Sequence, residues 1–142
     1  MDNIEHINYI KAPVSDVYIT LITQEGLSEI WTRHLKVKPV EGHINEFEFG
    51  DPYVTKMKVI ELKENKRVVW TCVASDEEWV GTDVIFELSE DNGVTKIVLK
   101  HVGWRAMTDF YRWCNYNWAM FLRSLKMYCE GGEGEPYQER KF

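Results

Sequence analysis

The chain has 142 residues, with 17 Lys and Arg against 23 Asp and Glu, a formal net charge of −6 and a pI near 5.2. That balance argues against nucleic acid or an anionic membrane surface as partner, because both require clustered cations. The size suits one domain that buries about two-thirds of its unfolded surface, and six Trp, seven Tyr and six Phe make it rich in rings.

No apolar run approaches the ~20 residues of a membrane-spanning helix. Asp2, Glu5 and His6 stand where a secretory signal needs basic and then apolar residues. A cytoplasmic protein is the expectation. Cys72, Cys114 and Cys129 are odd in number, and the last two fall about four turns apart on one predicted helix, too far to bridge. Reduced, buried thiols follow. The histidines at 6, 34, 43 and 101 show no zinc-site spacing, so neither metal nor cofactor is expected.

Residues 3 to 11 read as a first strand whose alternation is blurred, with Ile7 and Tyr9 set against Ile4 and Ile10. Pro13 supplies a pre-set first helical turn. Val14, Val17, Tyr18, Leu21 and Ile22 then follow the spacing of one apolar helix face. Gly26 is read as the stop of that helix, and a short second helix, Leu27 to Thr32, carries Trp31.

From about 36 to 102 the pattern changes to strands broken by turns at Glu41-Gly42, Gly50-Asp51-Pro52, Glu64-Asn65-Lys66, Ser75-Asp76-Glu77 and Asp91-Asn92-Gly93. One parity holds Val80, Thr82, Val84, Phe86 and Leu88; after the Asn92-Gly93 turn the corresponding set is Thr95, Ile97, Leu99 and His101. Short connections make these neighbours antiparallel.

Residues 108 to 129 form one long predicted helix. Phe110, Cys114, Asn117, Trp118, Phe121, Leu122, Leu125 and Cys129 share a face, while Trp113, Tyr116, Met120 and Met127 gather nearly opposite. The expectation is a single domain over 1–130 and a loosely ordered tail over 131–142, where Gly-Gly-Glu-Gly-Glu-Pro lacks apolar periodicity.

Several phrases carry a resemblance: Lys11-Ala12-Pro13 with Val17-Tyr18, Glu25-Gly26-Leu27 leading to Trp31, and Phe49-Gly50. Val68-Val69-Trp70-Thr71, Trp79-Val80-Gly81-Thr82, Val94-Thr95-Lys96-Ile97 and Lys100-His101-Val102-Gly103-Trp104 follow, then Trp118 with Leu122 and Leu125. In this order they resemble the activator-of-heat-shock-protein-90-ATPase-like branch of the START/polyketide-cyclase superfamily, over roughly residues 3 to 130. The resemblance implies an α+β helix-grip fold: a curved antiparallel sheet wrapped around a long C-terminal helix, in the order β-α-α-β(about six)-α, with an elongated cavity between them. Asn117 stands where the family often has Gly, which narrows the cavity or adds a polar group to it.

Aromatic walls with a few polar groups suit a small-molecule pocket. The candidate ligand-binding residues are Trp31, Trp79, His101, Trp104, Asn117 and Phe121, with Trp70 the weakest addition. The alternative is that the rings simply fill the core. His101 could orient a ligand or, with an acidic neighbour, serve a cyclase- or hydrolase-like enzyme, but no motif places such a neighbour. No residue is assigned as catalytic. Asp76, Glu77 and Glu78 read as a solvated turn, with a cation-selective rim as the alternative.

Trp113, Tyr116, Met120 and Met127 form a second stripe, expected to mediate homodimerisation, unless the tail covers it with Pro136, Tyr137 or Phe142. The leading functional expectation is non-enzymatic binding of a small apolar or aromatic molecule. A chaperone-accessory or stress-linked interaction module competes with it.

Overall fold

A computed structural model describes residues 2–142. The alternating segment becomes six strands: β2 (His34–Lys36), β3 (Ile44–Glu48), β4 (Thr55–Lys63), β5 (Arg67–Ala74), β6 (Asp83–Asp91) and β7 (Val94–Trp104). With β1 (Asp2–Ile10) they build a seven-stranded antiparallel sheet in the order β1-β7-β6-β5-β4-β3-β2. Short turns account for the consecutive pairings. β1 instead lies beside the last strand, so the chain must travel from one sheet edge to the other before β2. It does so through α1 (Val14–Ile22) and α2 (Gln24–Ile30). Asn92 and Gly93 both adopt positive φ (50° and 78°), as the tight β6–β7 hairpin requires. Register shifts in β1 and at two points along β4 and β5 mark bulges, which bend the strands they interrupt.

The parities of β6 and β7 hold: Val84, Phe86 and Leu88, and Thr95, Ile97, Leu99 and His101, are all buried. Val80 is the exception, because it lies in the connection before β6 and is exposed. The blurred pattern of β1 also resolves. Ile4 and Ile10 enter the core, and His6 and Asn8, on the same parity, reach the long helix, where His6 Nε2 lies 2.9 Å from Asn115 Oδ1. Ile7 and Tyr9 point the other way and are exposed.

Gly26 does not stop the first helix. It sits in the first turn of α2, where the Thr23 hydroxyl accepts its N–H at 3.1 Å. A Cβ on Gly26 would lie 2.3 Å from the Thr20 carbonyl oxygen, so this glycine lets α2 pack directly on the end of α1. Pro13 is the cap of α1 rather than its first turn, and the Val14 N–H is satisfied by the Glu90 carboxylate at 2.7 Å.

The helix α3 (Asp109–Gly131) begins where the Thr108 hydroxyl accepts the Tyr111 N–H and ends at left-handed Gly132. Tyr111, Cys114, Trp118, Phe121, Leu122 and Leu125 are buried along α3, and Ser124 is buried under the tail, where its hydroxyl accepts the Glu135 N–H at 2.7 Å. The fold is helix-grip, with α3 held by the antiparallel sheet.

The tail is tied down, contrary to the loosely ordered segment expected. Tyr137 N–H donates to the Trp31 carbonyl at 2.7 Å, Gln138 Nε2 to the Thr32 hydroxyl at 2.8 Å, and the Arg33 N–H to Gln138 Oε1 at 3.0 Å. A short 3-10 turn spans Tyr137–Glu139. Low apolar content hid this docking, because polar groups supply it: carbonyls at the end of α2 lack helical partners, and the tail satisfies them.

Candidate ligand-binding site

Most of the space between sheet and α3 is filled by rings. Trp31 stacks on Trp70 at 5.8 Å between centroids, Trp70 meets Phe86 edge-on at 5.1 Å, and Phe86 stacks on Phe121 at 5.7 Å. Phe121 touches Trp118 at 5.2 Å, and Trp118 stacks on Trp79 at 5.9 Å with 12° between planes.

His101 lies within this packing, fully buried. Its hydrogen bonds form a directed chain. Trp118 Nε1–H, which can only donate, gives to His101 Nδ1 at 2.9 Å. The other ring nitrogen therefore carries the proton and donates to Thr82 Oγ1 at 2.7 Å, while the Thr82 hydroxyl donates to the Trp79 carbonyl at 2.6 Å. Burial pushes the His101 pKa down to about 3. The ring is thus a neutral structural link at ordinary pH, ill-suited to proton transfer near neutrality.

The filling ends at the N-terminal half of α3. There a partly open cleft of about 130 Å³ remains. Trp31, Trp79 and Phe110 wall it together with Trp113, Asn117 and Trp118; the loop after β3 adds Phe49, Asp51 and Tyr53, and the tail adds Tyr137 and Arg140. Trp79 is fixed by its N–H to Cys114 Sγ at 3.3 Å as well as by Trp118. Asn117 Nδ2 donates to the Trp113 carbonyl at 2.8 Å, which leaves Oδ1 as the group free to accept from a ligand. Thr55 and Ser75 contribute hydroxyls 2.9 Å apart.

Residues 11–130 match the family described as activator of Hsp90 ATPase homolog 1-like protein. The chain belongs to that family. Among solved structures it is similar to the Aha1 dimer of Colwellia psychrerythraea, at 37% identity over 94% of this chain and 100% of that one, with a TM-score of 0.86. Two further structures share the fold at 19% identity. A Mesorhizobium loti protein matches over 89% of this chain and 95% of that one at a TM-score of 0.77, and CalU16 of Micromonospora echinospora over 91% and 74% at 0.73. No curated protein matches. Family membership supports, coarsely, a ligand-binding or accessory role, and no helix among the described residues is long and apolar enough to cross a membrane.

Within this family member the cleft brings together three of the six residues expected to bind a ligand: Trp31, Trp79 and Asn117. His101, Trp104 and Phe121 do not line it; all three are buried, with Trp104 packed against His101 at 5.0 Å and Tyr111 at 5.1 Å and bordering a separate pocket with Glu77, Glu78 and Arg105. Trp104 ends β7, and α3 starts close by at Asp109. Trp70, the weakest candidate, is likewise core. Trp113, assigned to a partner surface, also lines the cleft while remaining 45% exposed.

The acidic run is largely spent on structure. Asp76 accepts the Glu78 N–H at 2.9 Å, and Glu78 accepts the Thr108 hydroxyl, which ties this loop to the start of α3.

Asp51, Tyr53 and Arg140 line the cleft without a sequence signal that places them there. The Gly50-Asp51-Pro52 turn marks a chain reversal but says nothing of what it faces, and Arg140 lies in a segment without apolar pattern. Burial, and then nearby Asp76, raise the Asp51 pKa, while burial pushes the Tyr53 phenol up to about 12. Cys114 is pushed up to about 12 by burial and stays a neutral thiol. All three cysteines are free.

Proposed function

We propose that the protein is a non-enzymatic binder of a small aromatic or apolar molecule, seated in the cleft between Trp31, Trp79, Trp113 and Tyr137. One observation carries this reading: an otherwise ring-filled interior stops short at a cleft of about 130 Å³ that is walled by rings and edged by a few polar groups. A cavity of about 150 Å³ accepts benzene, so a single six-membered ring is the matching size. Burying about 150 Å² of such a ligand at ~25 cal/mol/Å² gives roughly 4 kcal/mol before association costs. Ring burial alone thus gives binding no tighter than about millimolar. Titration with a panel of single-ring compounds should give a saturable change in tryptophan fluorescence that Trp79→Ala weakens; no saturable response to any of them would contradict the reading.

A cyclase- or hydrolase-like reaction centred on His101 is disfavoured, because that ring does not line the cleft and both its nitrogens are engaged. The free thiols fit work in the reducing cytoplasm.

Self-association has an observation of its own. Trp113 and Tyr116 stand 45% and 48% exposed on α3, with Met120 and Met127 half-buried along the same helix. The Colwellia relative is described as a dimer. We propose that this stripe pairs two copies, and a chaperone-accessory role would use the same face. The tail covers it only in part, through Phe142 against Trp113 at 5.2 Å. Sedimentation at micromolar concentration should show a dimer that Tyr116→Glu converts to monomer; an unchanged mass for that variant would exclude this interface.

A further inference from the structure

Arg140 is the cationic group lining the cleft, and its bonding is unusual for a buried guanidinium. It is 9% exposed. Nε donates to the Glu135 carbonyl at 2.9 Å and Nη2 to the Ile30 carbonyl at 2.9 Å, the latter at the end of α2. Both partners are neutral backbone groups. The carboxylates nearest in sequence are committed elsewhere: Glu135 pairs with Arg123, and Glu139 with Arg33 at 2.6 Å. Asp51 lines the same cleft without forming an ion pair with Arg140. Nη1 makes no hydrogen bond among the described residues.

Glu135 acts on Arg140 through its charge without an ion-pair contact; a buried cation with no direct ion pair is costly, and guanidinium binds carboxylate strongly through directional, charge-assisted bonds. Burial lowers the Arg140 pKa only to about 10, so the group remains charged at neutral pH. The two backbone bonds fix its plane in advance. The cleft walls, Trp31, Trp79, Trp113 and Tyr137, are meanwhile suited to an uncharged ring.

We infer that the ligand is a small aromatic carboxylate, its ring among the tryptophans and its carboxylate on the free side of the Arg140 guanidinium. This rests on the binding role proposed above and adds the headgroup.

The test compares benzoate with benzamide, a neutral near-isostere, and with acetate, by calorimetric or ligand-observed NMR titration of the full chain. Benzoate is expected to bind at least tenfold tighter than either. Arg140→Gln should bring benzoate down to the benzamide level, and Arg140→Lys should retain part of the preference. Equal binding of benzoate and benzamide would overturn the carboxylate assignment while leaving the cleft as an aromatic site. Acetate binding as tightly as benzoate would overturn the ring's contribution. No binding by any of the three would overturn both this inference and the function on which it rests. The benzoate–benzamide comparison uses the unaltered protein, so it decides the question even if the Arg140 variants lose the docked tail.

Discussion

Two adjoining parts of the helix–sheet interior are built from the same residue types and do opposite things. Around His101, the rings of Trp79, Trp104, Trp118 and Phe121 interlock, and the ring nitrogens of His101 are both engaged. A few residues away, Trp31, Trp79 and Trp113 face a space that no protein ring fills. The difference lies in what covers each part. The filled side is covered by the end of β7 and the start of α3, where Trp104 also borders a separate pocket with Glu77, Glu78 and Arg105. The open side is bordered by a turn and the tail, which contribute Asp51, Tyr53, Tyr137 and Arg140. Aromatic content alone therefore does not locate a pocket; the irregular segments around it decide which rings remain unmatched.

This contrast can be broken or sharpened in order of expected effect. Trp118→Ala strikes the ring shared by the filled part and the cleft, removing a buried ring and leaving His101 Nδ1 without its donor; a loss of about 3–5 kcal/mol is expected in denaturant unfolding. A loss under ~1 kcal/mol would mean that the packing there is loose.

Acid comes next. The His101 pKa is about 3 in the folded protein against about 6.5 when unfolded. The unfolded chain thus binds the extra proton between those values. The stabilisation is complete above about pH 6.5 and is lost as pH falls toward 3. Near pH 4.5 the loss should be roughly 3 kcal/mol, and His101→Phe, though less stable at neutral pH, should show a flatter acid limb. Matching acid limbs would show that His101 titrates normally.

Gly26→Ala tests the α1–α2 contact outside either part. The added Cβ meets the Thr20 carbonyl at 2.3 Å, so the helices must separate, at a cost of about 1–3 kcal/mol in thermal or chemical unfolding. Trp113→Ala, at the open side, should cost less than about 1 kcal/mol because that ring is 45% exposed, yet it should weaken ligand binding. A large stability loss there would assign Trp113 to the core instead.

Much of the fold was legible because it depends on periodicity. Alternation identified the inward sets of β6 and β7, and helical spacing identified Trp118, Phe121, Leu122 and Leu125 as the gripped face of α3. Turn residues marked the strand breaks. A glycine that ends a helix and one that permits helix contact look identical in sequence, which is why Gly26 reads as a stop. The site was less legible. Trp31, Trp79 and Asn117 line the cleft, but periodicity cannot tell a ring facing a void from one facing another ring, so the sequence groups His101, Trp104 and Phe121 with them. Arg140 and Asp51 lie in segments whose placement depends on backbone hydrogen bonds with distant carbonyls or on loop geometry, neither of which has a composition signature.

The most direct test follows the six tryptophan indole N–H signals by NMR during titration with benzoate. The signals of Trp31, Trp79 and Trp113 should move along one saturating curve, while those of Trp70 and Trp104 stay in place. Movement confined to Trp70 or Trp104, or no saturable movement of any indole, would contradict a binding cleft at the open side.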